Sequence, residues 1–169
     1  DGEKLIFAIP GGIEKYTVDV SERGGLLYLT GAAADGFSRL WIRLEAEPGE
    51  HVTGGGEQFS ALDLRGRLFP IWTREQGVGR NKLTEVTRLA DCSDGGGGDY
   101  HTTFFPQPTF VSSRGYFAHL QNYEYSELDF REEDYHELTL WSSAFSLVLG
   151  DGRDYSELLR KLTGLLGRQ

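Results

Sequence analysis

Leu40-Trp41-Ile42-Arg43-Leu44-Glu45-Ala46-Glu47 is the stretch that decides the fold. Leu40, Ile42, Leu44 and Ala46 alternate with Trp41, Arg43, Glu45 and Glu47, a period of two that sets one apolar face on a strand. The same beat returns elsewhere. Tyr16, Val18 and Val20 alternate with Thr17 and Asp19, His136, Leu138 and Leu140 with Tyr135, Glu137, Thr139 and Trp141, and Phe145, Leu147 and Leu149 repeat it. Shorter β-like runs lie at 5–9, 26–29, 68–72, 84–89, 109–112, 116–120 and 125–130. Turn residues punctuate them at Pro10-Gly11-Gly12, Glu22-Arg23-Gly24-Gly25, Asp35-Gly36 and Pro48-Gly49. Many short strands at near-regular spacing predict an all-β chain, an antiparallel sandwich or barrel.

One helix is predicted, at the C-terminal end. Leu158, Leu159, Leu162, Leu165 and Leu166 form a single apolar stripe. Asp154 suits the N-cap with Glu157 as its capping-box partner, and Gly167 suits the stop. Asp91–Asp99, with four consecutive glycines at 95–98, reads as a mobile loop.

The 169 residues suffice for one domain with a hydrophobic core. With 17 Lys and Arg against 26 Asp and Glu, the net charge of −9 argues against nucleic acid and anionic membrane as partners. No apolar run approaches the ~18 residues of a membrane-spanning helix. The single Cys92 excludes an internal disulfide and favours a reducing compartment. The chain contains no Met, so Asp1 is read as lying inside a longer natural product.

Chemistry-bearing constellations are sparse. His51, His101, His119 and His136 are scattered, without the spacing of a metal site, and no metal or other cofactor is expected. Gly54-Gly55-Gly56-Glu57 lacks the Lys and Ser/Thr of a phosphate loop, and Gly77-Val78-Gly79 lacks the third glycine of a dinucleotide fingerprint. The segment 54–82 is different. It interleaves glycines with Glu, Gln, Arg and aromatic residues, the types that hydrogen-bond and stack on sugars. The plainer reading is that Arg65, Arg67, Arg74 and Arg80 pair with Glu57, Asp63 and Glu75.

Within that segment, Gly56-Glu57-Gln58-Phe59, Leu64-Arg65-Gly66, Pro70-Ile71-Trp72-Thr73 and Glu75-Gln76-Gly77-Val78-Gly79-Arg80-Asn81 resemble family 31 glycoside hydrolases, in particular their sulfoquinovosidase branch. The resemblance continues through Gly97-Gly98-Asp99-Tyr100, the run from Thr103 to Ser112, Tyr135-His136-Glu137-Leu138 and the run from Leu158 to Gln169. It covers 38–169 well and 1–37 loosely.

The resemblance implies a galactose-mutarotase-like β-sandwich over 1–153, incomplete at its N-terminus. Residues 154–169 then form a helix and linker leading to a (β/α)₈ catalytic barrel outside this chain. That barrel holds the nucleophile and the acid/base of a retaining α-glycosidase, about 5 Å apart. No catalytic residue carries over, and the chain alone is expected to be inactive.

What carries over is a rim. Glu75, Gln76 and Arg80, with Trp72, are candidates for touching the sugar or aglycone at the mouth of the active site. Their alternative is to stabilise the loop. Trp72, Phe104 and Phe105 are read as core aromatics, with a stacking surface as the alternative. Glu57 and Gln58 are expected to brace the Gly54–Gly56 turn. The chain is expected to pack on its barrel, to expose an apolar patch that drives self-association, and to be cytoplasmic.

Three other functions compete. One is a free-standing, lectin-like carbohydrate-binding module. Another is a mutarotase-like enzyme using His119 or His136 with Glu124 or Glu137. The last is a structural sandwich without a ligand.

Overall fold

A computed structural model describes residues 2–8, 15–33, 36–75 and 77–167, and for Ala8 and Lys15 the backbone alone. The turn expected at Pro10-Gly11-Gly12 and the candidate Gln76 lie outside the described residues. Among the described residues the order is β1 (Gly2–Ala8), β2 (Lys15–Arg23), β3 (Leu26–Ala33), β4 (Leu40–Glu45), β5 (Val52–Gly56), β6 (Leu68–Ile71), α1 (Glu85–Asp94), β7 (Pro106–Ser112), β8 (Tyr116–Leu120), β9 (Ser126–Asp129), β10 (Tyr135–Leu140), β11 (Ala144–Asp151) and α2 (Tyr155–Leu166). A seven-stranded sheet runs β1-β2-β3-β11-β8-β7-β5 and a four-stranded sheet β4-β10-β9-β6. All paired strands are antiparallel. The chain is an all-β sandwich with one helix at its C-terminal end and a second inserted between β6 and β7.

Alternation sets the register. Leu40, Ile42 and Leu44 turn inward on β4, and Trp41, Arg43 and Glu45 outward. Between the sheets lie Val52, Phe69, Phe110, Leu120, Leu128, Phe130, Leu138, Leu140 and Leu147, all almost fully buried. The large sheet also buries part of its other face, since Val111, Phe117 and Val148 pack with Leu26 against Leu158 and Leu162 of α2. Adjacent residues such as Phe110 and Val111, or Leu147 and Val148, are therefore both buried, as strands covered on two sides require. The side chain of Asp154 caps α2 by accepting from Glu157 N (2.8 Å). The reciprocal bond of the expected capping box is displaced by one residue, because Glu157 accepts from Arg153 N (3.2 Å) and Arg153 Nε (2.8 Å).

Two readings are corrected. The run 84–89, read as a strand, and the start of 91–99, read as a loop, together form α1. Val86 and Leu89 are exposed, so their spacing records no buried face. Local hydrogen bonding decides instead. Thr84 N and its hydroxyl both donate to Asn81 O (2.9 and 2.8 Å), and at the far end Gly95, left-handed at φ 72°, donates to Asp91 O. Gly54–Gly56, read as a turn, is the end of strand β5 (Val52–Gly56), with a bulge between Gly54 and Gly56 where it pairs with β7.

A polar cluster is buried around Glu50. The Glu50 carboxylate, in the β4–β5 connection, accepts from the Ser112 hydroxyl, His136 Nε2 (2.9 Å), the Tyr116 hydroxyl (3.2 Å) and Glu47 N (3.0 Å). On the other side of the His136 ring, Arg65 Nη1 lies 3.2 Å from Nδ1. A guanidinium only donates, so Nδ1 is the acceptor and the proton sits on Nε2, aimed at Glu50. Burial holds His136 below the ordinary histidine value, despite the carboxylate beside it. Burial also raises the Glu50 pKa, but its hydrogen bonds from Ser112, His136 and Glu47 outweigh that, and the net shift is downward.

Both groups therefore bind protons more readily in the unfolded chain. Their contribution to stability is complete above 6.5, declines as pH falls below that value through His136, and declines again below 4.5 through Glu50. His119, also held down by burial, adds with the same sign. We expect thermal unfolding to move to lower temperature between about pH 7.5 and about pH 5.5. His136→Phe should cost on the order of 3 kcal/mol in chemical denaturation and flatten that slope without removing the His119 share. An unchanged slope in His136→Phe would contradict the assignment.

Candidate functional site

At the end of β6 the chain leaves the small sheet and enters a loop pinned by backbone contacts. Thr73 bridges Thr103 in parallel, and Arg74 N donates to Thr103 O (2.9 Å). The Thr103 side chain is fully buried and donates to Glu57 O (2.5 Å), while Glu57 N donates to Phe105 O (2.9 Å). Tyr100 anchors the neighbouring loop by donating from its hydroxyl to Leu68 O (2.6 Å). Three loops, 56–62, 72–81 and 95–105, are thus stitched together.

The central seam is made of glycine. Val78 N donates to Gly96 O (2.8 Å) and Arg80 N to Gly97 O (3.1 Å). Gly77 has φ 76°, and a Cβ there would stand 2.5–2.8 Å from backbone atoms of Gly97 and Gly98. The fully buried Thr87 hydroxyl accepts from Asn81 N (3.2 Å). Asp91 accepts from Lys82 Nζ (2.7 Å) and Gly97 N (3.0 Å), and the Lys82 ammonium beside it holds its carboxyl below the usual range. The stretch read as a mobile glycine loop is therefore a packed backbone contact, with Gly97 and Gly98 buried.

The candidate residues leave this frame in different directions. Trp72 is 62% exposed and meets Tyr125 edge to face, with ring centroids 6.0 Å apart. Glu75 is exposed and makes no hydrogen bond or ion pair among the described residues. Arg80 has φ 50° and lays its guanidinium over the Phe59 ring at 4.8 Å. Its Nη1 is buried without a partner among the described residues.

Several expectations change. Trp72, Phe104 and Phe105, read as core, are 62%, 43% and 55% exposed. They lie on loops or just beyond β6, outside the layer between the sheets. Phe59, Leu62, Val78 and Leu83 are exposed on the same loops. Among the described residues the expected arginine ion pairs do not form. Arg65 donates to Glu132 O and Glu133 O, Arg67 to Asp63 O and Arg65 O, and Asp63 instead pairs with His51 (2.7 Å). Gln58 does brace the glycines, donating from Nε2 to Gly55 O (2.8 Å), whereas Glu57 contributes through its backbone.

The mutarotase-like pairs are not assembled. His136 is enclosed with Glu50, His119 Nδ1 lies 2.7 Å from Thr109 Oγ1, Glu137 pairs with Arg43, and Glu124 with Asn122 and Ser142. Among the described residues no group of three His, Cys, Asp or Glu could hold a metal ion, and no helix is long and apolar enough to cross a membrane.

Sequence reasoning missed a cleft of about 240 Å³ lined by Pro70, Trp72, Arg74, His101, Thr102 and Tyr125. Its walls come from three separate segments. The two pairings that bring them together are β6 with β9 and Thr73 with Thr103, and no local pattern announces either.

No family model matches the chain. It is 55% identical over 132 residues to the sulfoquinovosidase of Escherichia coli (strain K12), covering 78% of this chain and 20% of that protein. It is 45% identical over 146 residues to the sulfoquinovosidase of Agrobacterium fabrum, covering 86% and 22%. The chain thus spans about one fifth of the length of these curated relatives. Among solved structures, a family 31 sulfoquinovosidase from E. rectale, in complex with an aza-sugar inhibitor, superposes with a TM-score of 0.87 at 32% identity, over 99% of this chain and 30% of that one. A family 31 dextranase of Flavobacterium johnsoniae shares the fold, with a TM-score of 0.63 at 13% identity, over 97% and 27%.

A sandwich of this topology, matching a minor part of much longer glycosidases, is an accessory domain of glycoside hydrolase family 31. The chain belongs to that family, and within it to the sulfoquinovosidase branch.

The glycine seam yields a prediction. Gly77→Ala forces a Cβ into the Gly97–Gly98 backbone and holds alanine at a left-handed φ, which alone costs about 1–3 kcal/mol. Amide hydrogen exchange should accelerate at Val78 and Arg80 and stay slow in β8 and β10. Acceleration spread evenly over the sandwich would refute a local role.

Proposed function

We propose that this chain is the non-catalytic N-terminal sandwich of a retaining α-glycosidase that hydrolyses sulfoquinovosides or related α-glucosides. It contributes the 72–81 loop to the rim of an active site whose carboxylates lie in a separate barrel. The observation that carries the reading is the pairing of an exposed Trp72 and an exposed Glu75, without a partner among the described residues, with a backbone pinned at Thr73, Arg74, Val78 and Arg80. An exposed indole and an exposed carboxylate on one pinned loop suit a sugar contact, because an aromatic face stacks on a pyranose while a carboxylate accepts from its hydroxyls. In this proposal Gln76 lies at the same rim, and Arg80 positions the loop through its seat on Phe59.

The surrounding arrangement follows from the same reading. The exposed aromatic and aliphatic side chains of the stitched loops form the surface that packs on the barrel, or on a second copy when the barrel is absent. Residues 154–169 carry the chain from the sandwich, on which Leu158 and Leu162 of α2 are seated, toward that barrel. The compartment is the cytoplasm.

The test uses the intact parent enzyme and chromogenic α-sulfoquinovoside and α-glucoside. Glu75→Gln and Arg80→Met should each lower kcat/KM by roughly tenfold, about 1.4 kcal/mol, with an unchanged unfolding temperature. Full activity in both variants would remove the rim assignment.

A further inference from the structure

The cleft between the end of β6 and the 99–105 loop has the makings of a ligand seat. Two aromatic walls meet at an angle, Trp72 and Tyr125, with ring planes 69° apart. The Tyr125 hydroxyl is committed to Glu127 (2.8 Å), so its ring faces the space as an apolar wall. Pro70, opposite Glu127 across the β6–β9 pair, supplies a rigid floor.

The polar lining has spare capacity. Among the described residues Arg74 uses only its backbone N–H, toward Thr103 O, and its guanidinium has no hydrogen-bond or ion-pair partner. The His101 ring rests edge-on against Tyr100 at 4.9 Å, with neither nitrogen hydrogen-bonded among the described residues. Thr102 is buried, and its Oγ1 accepts from Asp99 N (2.7 Å), which leaves its own proton to donate. Asp91 lies within electrostatic range of Arg74 but is engaged by Lys82, and among the described residues no carboxylate forms an ion pair with this guanidinium, which leaves its donors to a ligand.

We infer that this cleft binds a single pyranose residue of a glycoside. Trp72 and Tyr125 take the apolar C–H faces of the ring, and Arg74, His101 and Thr102 hydrogen-bond its hydroxyls. A cleft of about 240 Å³ with angled aromatic walls accommodates one sugar ring and excludes a flat platform for a long chain. Arg74 fits the role because its planar fork spans two adjacent hydroxyl oxygens. The inference deepens the rim reading and rests on it for the ligand being a sugar. It adds Arg74, His101, Thr102 and Tyr125 to the residues concerned.

The chain contains three tryptophans, so 5-fluorotryptophan labelling gives one fluorine signal for each. Trp41 lies on β4, at the opposite edge of the small sheet from β6, and serves as an internal reference. Methyl α-D-glucopyranoside is titrated into the labelled chain, with glycerol as a polyol lacking the ring. We expect the Trp72 signal to move saturably with a Kd of roughly millimolar order while Trp41 stays in place. Arg74→Met and Tyr125→Leu should each weaken binding about tenfold.

A stationary Trp72 signal at about 50 mM sugar, an equal movement with glycerol, or an unweakened Arg74→Met would overturn the inference. The rim reading is judged by Glu75→Gln turnover in the parent. A silent titration with impaired Glu75→Gln turnover removes the cleft and keeps the rim. A saturable titration with unimpaired turnover does the reverse.

Discussion

The Glu50 carboxylate is the point on which the two sheets agree. Its donors come from both layers, with Ser112 on β7 and Tyr116 on β8 in the large sheet and His136 on β10 in the small one. Apolar contacts between sheets are non-directional and tolerate sliding. A carboxylate that must keep several donors at hydrogen-bond distance does not, because each lost bond leaves a charged group unsatisfied in a low-dielectric interior. The Phe110 and Phe130 rings, 5.5 and 5.2 Å from the His136 ring, seal the cluster from water. Arg65 fixes the His136 tautomer from the loop that follows β5. Sheet alignment and the course of 50–66 are therefore coupled, and that course delivers the chain to β6 and the candidate site.

With the sheets aligned, the sandwich has two unlike outer surfaces. The large sheet is covered by α2 over β7, β8 and β11. On the small sheet, Arg39 lies over Trp141 at 4.3 Å, Trp141 meets Tyr125 at 4.7 Å, and Tyr125 meets Trp72. Arg43 stacks on Tyr135 and pairs with Glu137. A charged and aromatic row of this kind is stable in water, since each cation rests on a ring face and most carboxylates are paired. The row stops being self-sufficient at Trp72, beyond which Arg74 and Glu75 have no partners among the described residues.

How much of this was legible in the residues depends on the range of the interaction that decides each element. Strands β4 and β10 announce themselves because one buried face writes a period of two into adjacent residues. The C-terminal helix does so because α2 buries one stripe. Helix α1 stayed hidden because its exposed Val86 and Leu89 carry no burial signal, and its start is set by Asn81, Thr84 and Thr87 hydrogen bonds that composition does not show. Phe104 and Phe105 misled for the complementary reason, since aromatic character predicts burial only where a layer exists to receive it. The family motifs singled out 72–81 as a candidate, while Arg74, His101 and Tyr125 became neighbours only through strand pairing distant in sequence.

The same logic explains why the glycines of 77–79 and 95–98 belong to the site although they carry no chemistry. A rim residue must stand in solvent, so it cannot be held by burying its own side chain. Trp72 and Glu75 are exposed, and their positions have to be imposed through the backbone. Side chains between the 77–80 and 95–98 segments would hold them apart, whereas glycine lets Val78 and Arg80 reach the Gly96 and Gly97 carbonyls directly. Asp91, Lys82 and the Thr87 hydroxyl then close the ends of the contact. Precision at an exposed surface is obtained here from hydrogen bonds between bare backbones, one layer beneath the exposed side chains of Trp72 and Glu75.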